Sequence, residues 1–300
     1  MNEIVIHEVG MRDGLQAENE VVATGQKIEW IKQLAETGVD IIQVGSFVNP
    51  KRMPQMADTD VLFKYFSKEE NKLKDVLLSG LVLNEKGLER GMACGVELFC
   101  MGVSASETHS QKNTGMSTVE ATERIIAIAK SVMSAGKKVQ VSVQSAFGCG
   151  YEGKISEEKV LSLVQRFIEN GIINISLADT AGHAIPDQVE RLYSSINKMD
   201  EQVQSACHFH NTYGLGIANA YTSYKVGVKY FESSFAGLGG CPFTAVAAGN
   251  IATEDLVHLF QKMDLRVDIK LDNLIAISKE AAEYFKRELP GTIYRTGRIK

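Results

Sequence analysis

The chain has 300 residues, 44% hydrophobic and 23% charged, enough to bury a large core without disulfides or a structural metal. Its 32 basic and 37 acidic side chains leave a net charge of −5, which argues against a nucleic-acid partner. No apolar run of about 18 residues is present, and the opening MNEIVIHEVG lacks a signal peptide's basic and apolar regions, so no membrane partner and a cytoplasmic location are expected. The five cysteines, Cys94, Cys100, Cys149, Cys207 and Cys241, are odd in number and lack a CxxC spacing, so neither a disulfide framework nor a zinc ribbon is suggested.

Apolar β-type runs at 4–9, 41–44, 76–82, 96–101, 139–143, 174–177, 205–209 and 230–233 alternate with helical patterns. Helical spacing is seen at 27–36, 119–135, 157–169 and 186–196, among others. Ser117 with Glu120 has the form of a capping box, and Ser156 precedes Glu157 and Glu158. Gly38, Gly136 and Gly171 mark helix ends. Eight alternations in about 265 residues predict an α/β fold, a (β/α)8 TIM barrel. A doubly wound sheet is the alternative, because alternation does not say whether the sheet closes. After an eighth helix near 253–262, a further helix over 272–288 is expected on the barrel's outside. Residues 1–300 therefore read as one catalytic domain, with the barrel at about 3–265 and a C-terminal helical extension at about 266–300.

In such a barrel the chemistry sits on the loops that follow the strands. The first strand runs into Met11-Arg12-Asp13-Gly14, a polar loop, which alone also reads as a solvated turn with a salt bridge. The sixth exits into Asp179-Thr180-Ala181-Gly182, offering a carboxylate at the barrel mouth. The seventh ends in His208-Phe209-His210, and residues i and i+2 of a strand share a face, so both imidazoles can reach one metal ion. Two unrelated polar residues at a strand end are the plainer reading of that motif. The eighth runs into Gly237-Leu238-Gly239-Gly240-Cys241-Pro242-Phe243, whose glycines do not have the spacing of a dinucleotide fingerprint. That loop can bend over a site and present Cys241 as an acid or base, or bury it inertly. Asp13, His208, His210 and Asn250 together make a mixed oxygen–nitrogen donor set that suits magnesium or manganese.

At these same loops the chain resembles the 3-hydroxy-3-methylglutaryl-CoA lyase family, metal-dependent carbon–carbon lyases on TIM barrels. The resemblance rests on EVGMRDGLQAE (8–18), VGSFVNPKRMPQMAD (44–58), GYEGKIS (150–156), DTAG (179–182), HFHNTYGLGIANAY (208–221), AGLGGCPF (236–243) and GNIATEDLV (249–257). It implies Asp13, His208, His210 and Asn250 as ligands of a divalent cation, Mg2+ or Mn2+. It further implies Arg12 as the residue steadying an enolate oxygen, Asp179 as part of the acid–base apparatus, and Cys241 as the loop cysteine. Gln16 and Gln43 would join Arg12 at the substrate. The implied reaction is retro-Claisen cleavage of an acyl-CoA to acetyl-CoA and acetoacetate, as in leucine degradation and ketone-body formation. The chain departs from the family at Gln43, where a glutamate is expected, and at Phe209 and Asn211, in place of cysteine and aspartate. Gln43 keeps open an alternative substrate, another 3-hydroxy-acyl-CoA or a 4-hydroxy-2-oxo acid. A non-catalytic barrel serving as a binding subunit is the remaining alternative, and association into a homodimer is compatible with either role.

Overall fold

The computed structural model describes residues 4–240 and 249–299. Its strands are β1 (Val5–Glu8), β2 (Ile41–Ser46), β3 (Leu77–Leu81), β4 (Leu98–Ser104), β5 (Lys138–Gln144), β6 (Asn174–Asp179), β7 (Gln204–Phe209) and β8 (Tyr230–Ser233). Each pairs in parallel with the next, and β1 pairs with β8 through Val5–Tyr230 to Glu8–Ser233, so the sheet closes. Closure removes the doubly wound alternative. The helices are α1 (Thr24–Thr37), α2 (Thr59–Phe66), α3 (Glu85–Ala93), α4 (Glu107–Thr114), α5 (Thr118–Ser134), α6 (Glu157–Glu169), α7 (Pro186–Met199), α8 (Gly216–Lys225), α9 (Thr253–Gln261), α10 (Leu271–Tyr284) and α11 (Ile293–Thr296). None among the described residues is long and apolar enough to cross a membrane.

Both faces of a parallel barrel are covered, which is why the strands read as near-continuous apolar runs. Ile6, Ile42, Val44, Phe99, Val141 and Phe231 join the apolar faces of the helices in the main core. The alternate residues of the same strands form the separate interior cluster of Ile41, Leu98 and Cys100, with Val5, Leu77, Leu81 and Tyr230 against it. Two residues further along β1, β2, β3 and β8, that inner face carries His7, Gln43, Ser79 and Glu232, all buried. The interior thus turns polar towards the C-terminal strand ends, where His7 Nε2 meets Ser79 Oγ at 2.8 Å.

Local signals set the helix boundaries. Ser117 and Glu120 form the reciprocal capping box, and Ser156 Oγ accepts from Lys159 N at the start of α6. Gly38 ends α1 in the left-handed conformation at φ 92°. The segment 104–113 completes β4 and forms most of α4. Ser106 caps that helix by accepting from His109 N at 3.1 Å. α4 reads ETHSQKNT, so no apolar periodicity announces it.

The C-terminal extension braces the barrel's outside. Trp30 of α1 stacks edge-on against Tyr284 at 5.3 Å and donates from Nε1 to Glu280 at 3.0 Å. α10 ends at Tyr284, short of the expected 288, where Lys286 takes a left-handed φ of 51°. Arg266, almost fully buried, donates to Ile4 O, Gly38 O and the carboxylates of Asp40 and Asp268. Asp40 in turn accepts from Ile6 N at 2.7 Å, so one guanidinium clips the start of β1 to the α1–β2 turn. Arg266→Ala is expected to cost about 2 kcal/mol, because the charged hydrogen bonds of a buried guanidinium to two carboxylates and two carbonyls are lost. Urea unfolding measures this, and divalent-metal affinity should stay at the wild-type value.

Candidate active site

The exit of β1 is a single π-helical turn, Gly10–Gly14, in which Val9 O accepts from both Arg12 N and Asp13 N. Glu8 holds this turn from below. Its Oε1 accepts from Gly10 N at 2.6 Å and from Phe235 N at 3.1 Å, and its Oε2 accepts from the Thr253 hydroxyl. One carboxyl group therefore ties the exits of β1 and β8 to the start of α9. Burial pushes its pKa up to about 7, against the hydrogen bonds it accepts. Glu254 does similar work behind β8: its Oε2 accepts from Ala236 N at 3.0 Å, and burial takes it up to about 8. Ala236 occupies the left-handed region at φ 57°, which costs a non-glycine residue about 1 kcal/mol or more. That bend is held further by Ser278 of α10 and by Gly291 N on Ala236 O.

These turns bring together residues that are far apart in sequence. Asp13, His208 and His210 each place one ligand atom within 4.8 Å of the others. The two imidazoles lie on one face of the β7 end with centroids 5.4 Å apart, while Phe209 between them turns outward onto Phe147. Asn250 arrives through a bridge to His210 and donates from Nδ2 to Asp13 Oδ2 at 2.8 Å and to Leu238 O at 3.1 Å. Its Oδ1, the atom a metal would take, has no partner, so Asn250 reaches the cluster with its amide nitrogen foremost. The approach is close. A Cβ at Gly239, whose φ is 126°, would sit 2.6 Å from Asn250 Nδ2, and one at Gly249 would strike the backbone of Gly239.

The electrostatics separate the carboxylates. Burial would raise Asp13, but the Arg12 guanidinium, both histidines and the Asn250 amide hold it well below the usual carboxylate range. Arg12 is ion-paired to Asp13 through Nη1 and donates from Nε to Gln43 Oε1 at 2.5 Å. Asp179, fully buried at the end of β6, accepts at Oδ1 from His183 N at 2.7 Å and from Ala184 N at 3.2 Å. Its Oδ2 has no partner, and burial lifts its pKa to about 7 despite those donors and the nearby His208. His210 is held near 4 by burial and by the His208 charge, leaving a neutral ring with Nδ1 unpartnered. Burial pulls His208 down too, but Glu232 and then Asp13 more than reverse it.

The donor set fits a divalent cation. Asp13 brings an ionised carboxylate, His210 and Asn250 bring buried atoms, Nδ1 and Oδ1, that no group of the protein satisfies, and neutral His208 would add a lone pair on Nε2. Of the other sequence candidates, Arg12 is joined to the cluster through Asp13 and Gln43 only through Arg12, while Asp179 ends the neighbouring strand in register with Phe209 and not with either histidine. Gln16 is half-buried just past the π-turn, and among the described residues no hydrogen bond links it to these groups. Cys241 lies outside the described residues. The remaining cysteines, Cys94, Cys100, Cys149 and Cys207, are buried and unpaired. Sequence inspection passed over Glu8, Glu254 and Glu232; the signal available was a charged residue in or beside an otherwise apolar strand or helix start.

The HMGL-like family model matches residues 3–280, nearly the whole chain. The chain belongs to the HMGL-like family. It is 38% identical to the hydroxymethylglutaryl-CoA lyase of Bacillus subtilis over 288 residues, covering 96% of this chain and 95% of the relative. It is 34% identical to the (R)-citramalyl-CoA lyase of Chloroflexus aurantiacus, covering 100% of this chain and 96% of the relative. The HMG-CoA lyase of Acinetobacter baumannii, solved with coenzyme A and 3-methylmalate, superposes with a TM-score of 0.90 at 38% identity over 98% of this chain and 95% of that one. For this HMGL-like chain, Asp13→Ala and His210→Ala should each weaken Mn2+ binding more than the 10–100-fold typical of changes outside the ligand set. Isothermal titration checks this, and wild-type affinity in either variant would remove that residue from the metal site.

Proposed function

We propose that the chain is a metal-dependent carbon–carbon lyase that cleaves 3-hydroxy-3-methylglutaryl-CoA, or a close analogue, to acetyl-CoA and acetoacetate. The observation that carries this reading is the convergence at one barrel mouth of Asp13, His208 and His210 with the guanidinium of Arg12. Relatives named for this reaction and alignable over nearly the full chain support the substrate class.

Asp13, His208, His210 and Asn250 would hold Mg2+ or Mn2+, which supplies Lewis acidity towards substrate oxygens when bound. Asp179 is the base. Its Oδ2, free of any partner, takes the proton of the substrate's tertiary hydroxyl. As that oxygen becomes a ketone, the C2–C3 bond breaks and its electron pair passes to the thioester carbonyl. Arg12, held in place by Gln43 and Asp13, donates to the enolate oxygen as charge develops there. Cys241 returns a proton to C2, completing acetyl-CoA; an ordinary thiol pKa of about 8.5 keeps that proton available near neutrality. Gln16 contributes to the substrate pocket. Barrel and extension act as one catalytic domain, in the cytoplasm, as a homodimer, in leucine degradation and ketone-body formation.

A second reading, cleavage of a citramalyl-CoA-type thioester, is favoured by Gln43 and by the C. aurantiacus relative. Gln43 meets Arg12 with a neutral oxygen, so it orients the guanidinium without neutralising it. Acetyl-CoA release from the two thioesters, with Mg2+ or Mn2+ added, decides between them. Higher kcat/KM on hydroxymethylglutaryl-CoA supports the first reading, and turnover of citramalyl-CoA alone overturns it.

The base role carries a pH signature. Asp179 must be ionised to accept a proton, so kcat/KM should rise about tenfold per pH unit below its pKa and level off at or below about pH 7. The added positive charge of a bound cation moves that midpoint down, not up. Asp179→Asn should remove the limb together with most of the activity; a variant that keeps both excludes Asp179 as the base.

A further inference from the structure

Glu232 lies behind the metal cluster without belonging to it. It sits on β8 opposite His208 of β7 in the strand register, and its Oε2 is 2.9 Å from His208 Nδ1. The other ring nitrogen, Nε2, is 3.7 Å from Asp13 Oδ2 and faces the cluster. The imidazole is therefore gripped at one nitrogen and presented at the other. On the far side of Glu232 in the register lies His7 of β1, which is occupied with Ser79 through its Nε2. Among the described residues, His208 is the one ion-pair partner that Glu232 has.

A carboxylate on the inner wall of a barrel is an expensive choice. Glu232 is 7% exposed, and no lysine or arginine neutralises it among the described residues. A branched apolar residue would serve the fold better at that position. The cost makes sense when the carboxylate acts on its ion-pair partner, His208. An imidazole has two tautomers, and only the one carrying its hydrogen on Nδ1 leaves a lone pair on Nε2. An acceptor at Nδ1 selects that tautomer, locks the ring plane and makes Nε2 a better donor to a cation.

We propose that Glu232 is a positioning residue of the metal centre, fixing His208 as the Nδ1–H tautomer with its Nε2 lone pair directed at the cluster formed with Asp13 and His210. The inference rests on the metal-site reading above, and the experiment separates the two. Mn2+ binding is measured by isothermal titration on purified wild-type protein, Glu232→Gln, Glu232→Ala and the control Ser79→Ala. The isosteric Gln variant should bind roughly 10-fold more weakly and the Ala variant roughly 100-fold, whereas Ser79→Ala keeps the wild-type affinity. The unfolding midpoint of each metal-free variant reports whether it folds. Independently of any variant, 15N-histidine NMR of the wild-type protein, at a pH above the titration of His208, should show its hydrogen on Nδ1. Wild-type affinity in folded Glu232→Gln, or a His208 hydrogen on Nε2, overturns the role of Glu232. If neither variant folds, the tautomer decides alone. Wild-type protein that binds no Mn2+ overturns the metal site itself, while the tautomer still tests whether Glu232 sets the ring.

Discussion

Much of the site depends on where the negative charge of Asp13 is spent. The carboxylate is claimed by Arg12 from its own turn, by Asn250 from the segment after β8, and by His208 from β7. Three strand exits that share no local sequence are thus drawn to one point. The interaction is cooperative in a simple sense: every partner that approaches lowers the cost of keeping the half-buried Asp13 ionised, and an ionised Asp13 is what holds them. A barrel supplies eight loops at one end, but nothing in barrel topology makes particular loops converge. Here a shared counter-charge does so.

The supports behind that point are of a different kind. Glu8 and Glu254 are buried carboxyl groups whose environments favour the neutral form, and each is spent on backbone N–H groups of the β1 and β8 exits. Such groups position loops without adding full negative charges close to Asp13, where these would compete for Arg12 and the histidines. The left-handed Ala236 and the close contact of Gly239 with Asn250 show how tightly the β8 exit is bent to reach the cluster. The C-terminal extension takes part in this, since Ser278 and Gly291 both bond to Ala236. The helix expected merely on the outside of the barrel is therefore joined, through one residue, to the segment that delivers Asn250.

The barrel was legible because parallel strands buried on both faces and amphipathic helices write unlike periodicities, and β8 matched its apolar run at both ends. The two histidines were legible for the same geometric reason, a period of two at a strand end. Closure itself was not, because it depends on the pairing of β1 with β8, more than 200 residues apart. α4 was hidden by its lack of apolar residues, and only its Ser106 cap marks it. Glu232, Glu8 and Glu254 were hidden because a single carboxylate in a sequence does not reveal whether it faces water or an imidazole. The orientation of the Asn250 amide, nitrogen towards Asp13, is likewise a property of the assembled site and not of any motif.

Asp13 and Asp179 show how one barrel mouth keeps two carboxylates in opposite states. Asp13 is surrounded by side chains that carry or can carry positive charge, so its proton is driven off. Asp179 receives only backbone N–H groups, and those on one oxygen, so burial dominates and its proton is retained up to about neutrality. Environments that push two titratable groups apart in this way divide the work between a fixed charge and a mobile proton. Gln43 belongs to the same logic. A carboxylate at that position would stand beside Arg12 as a second anion, dividing the guanidinium between itself and Asp13. The neutral amide directs Nε without taking charge from it, so more of the positive field of Arg12 remains at the barrel mouth. On the proposed mechanism, substrate choice would follow the charge balance around Arg12.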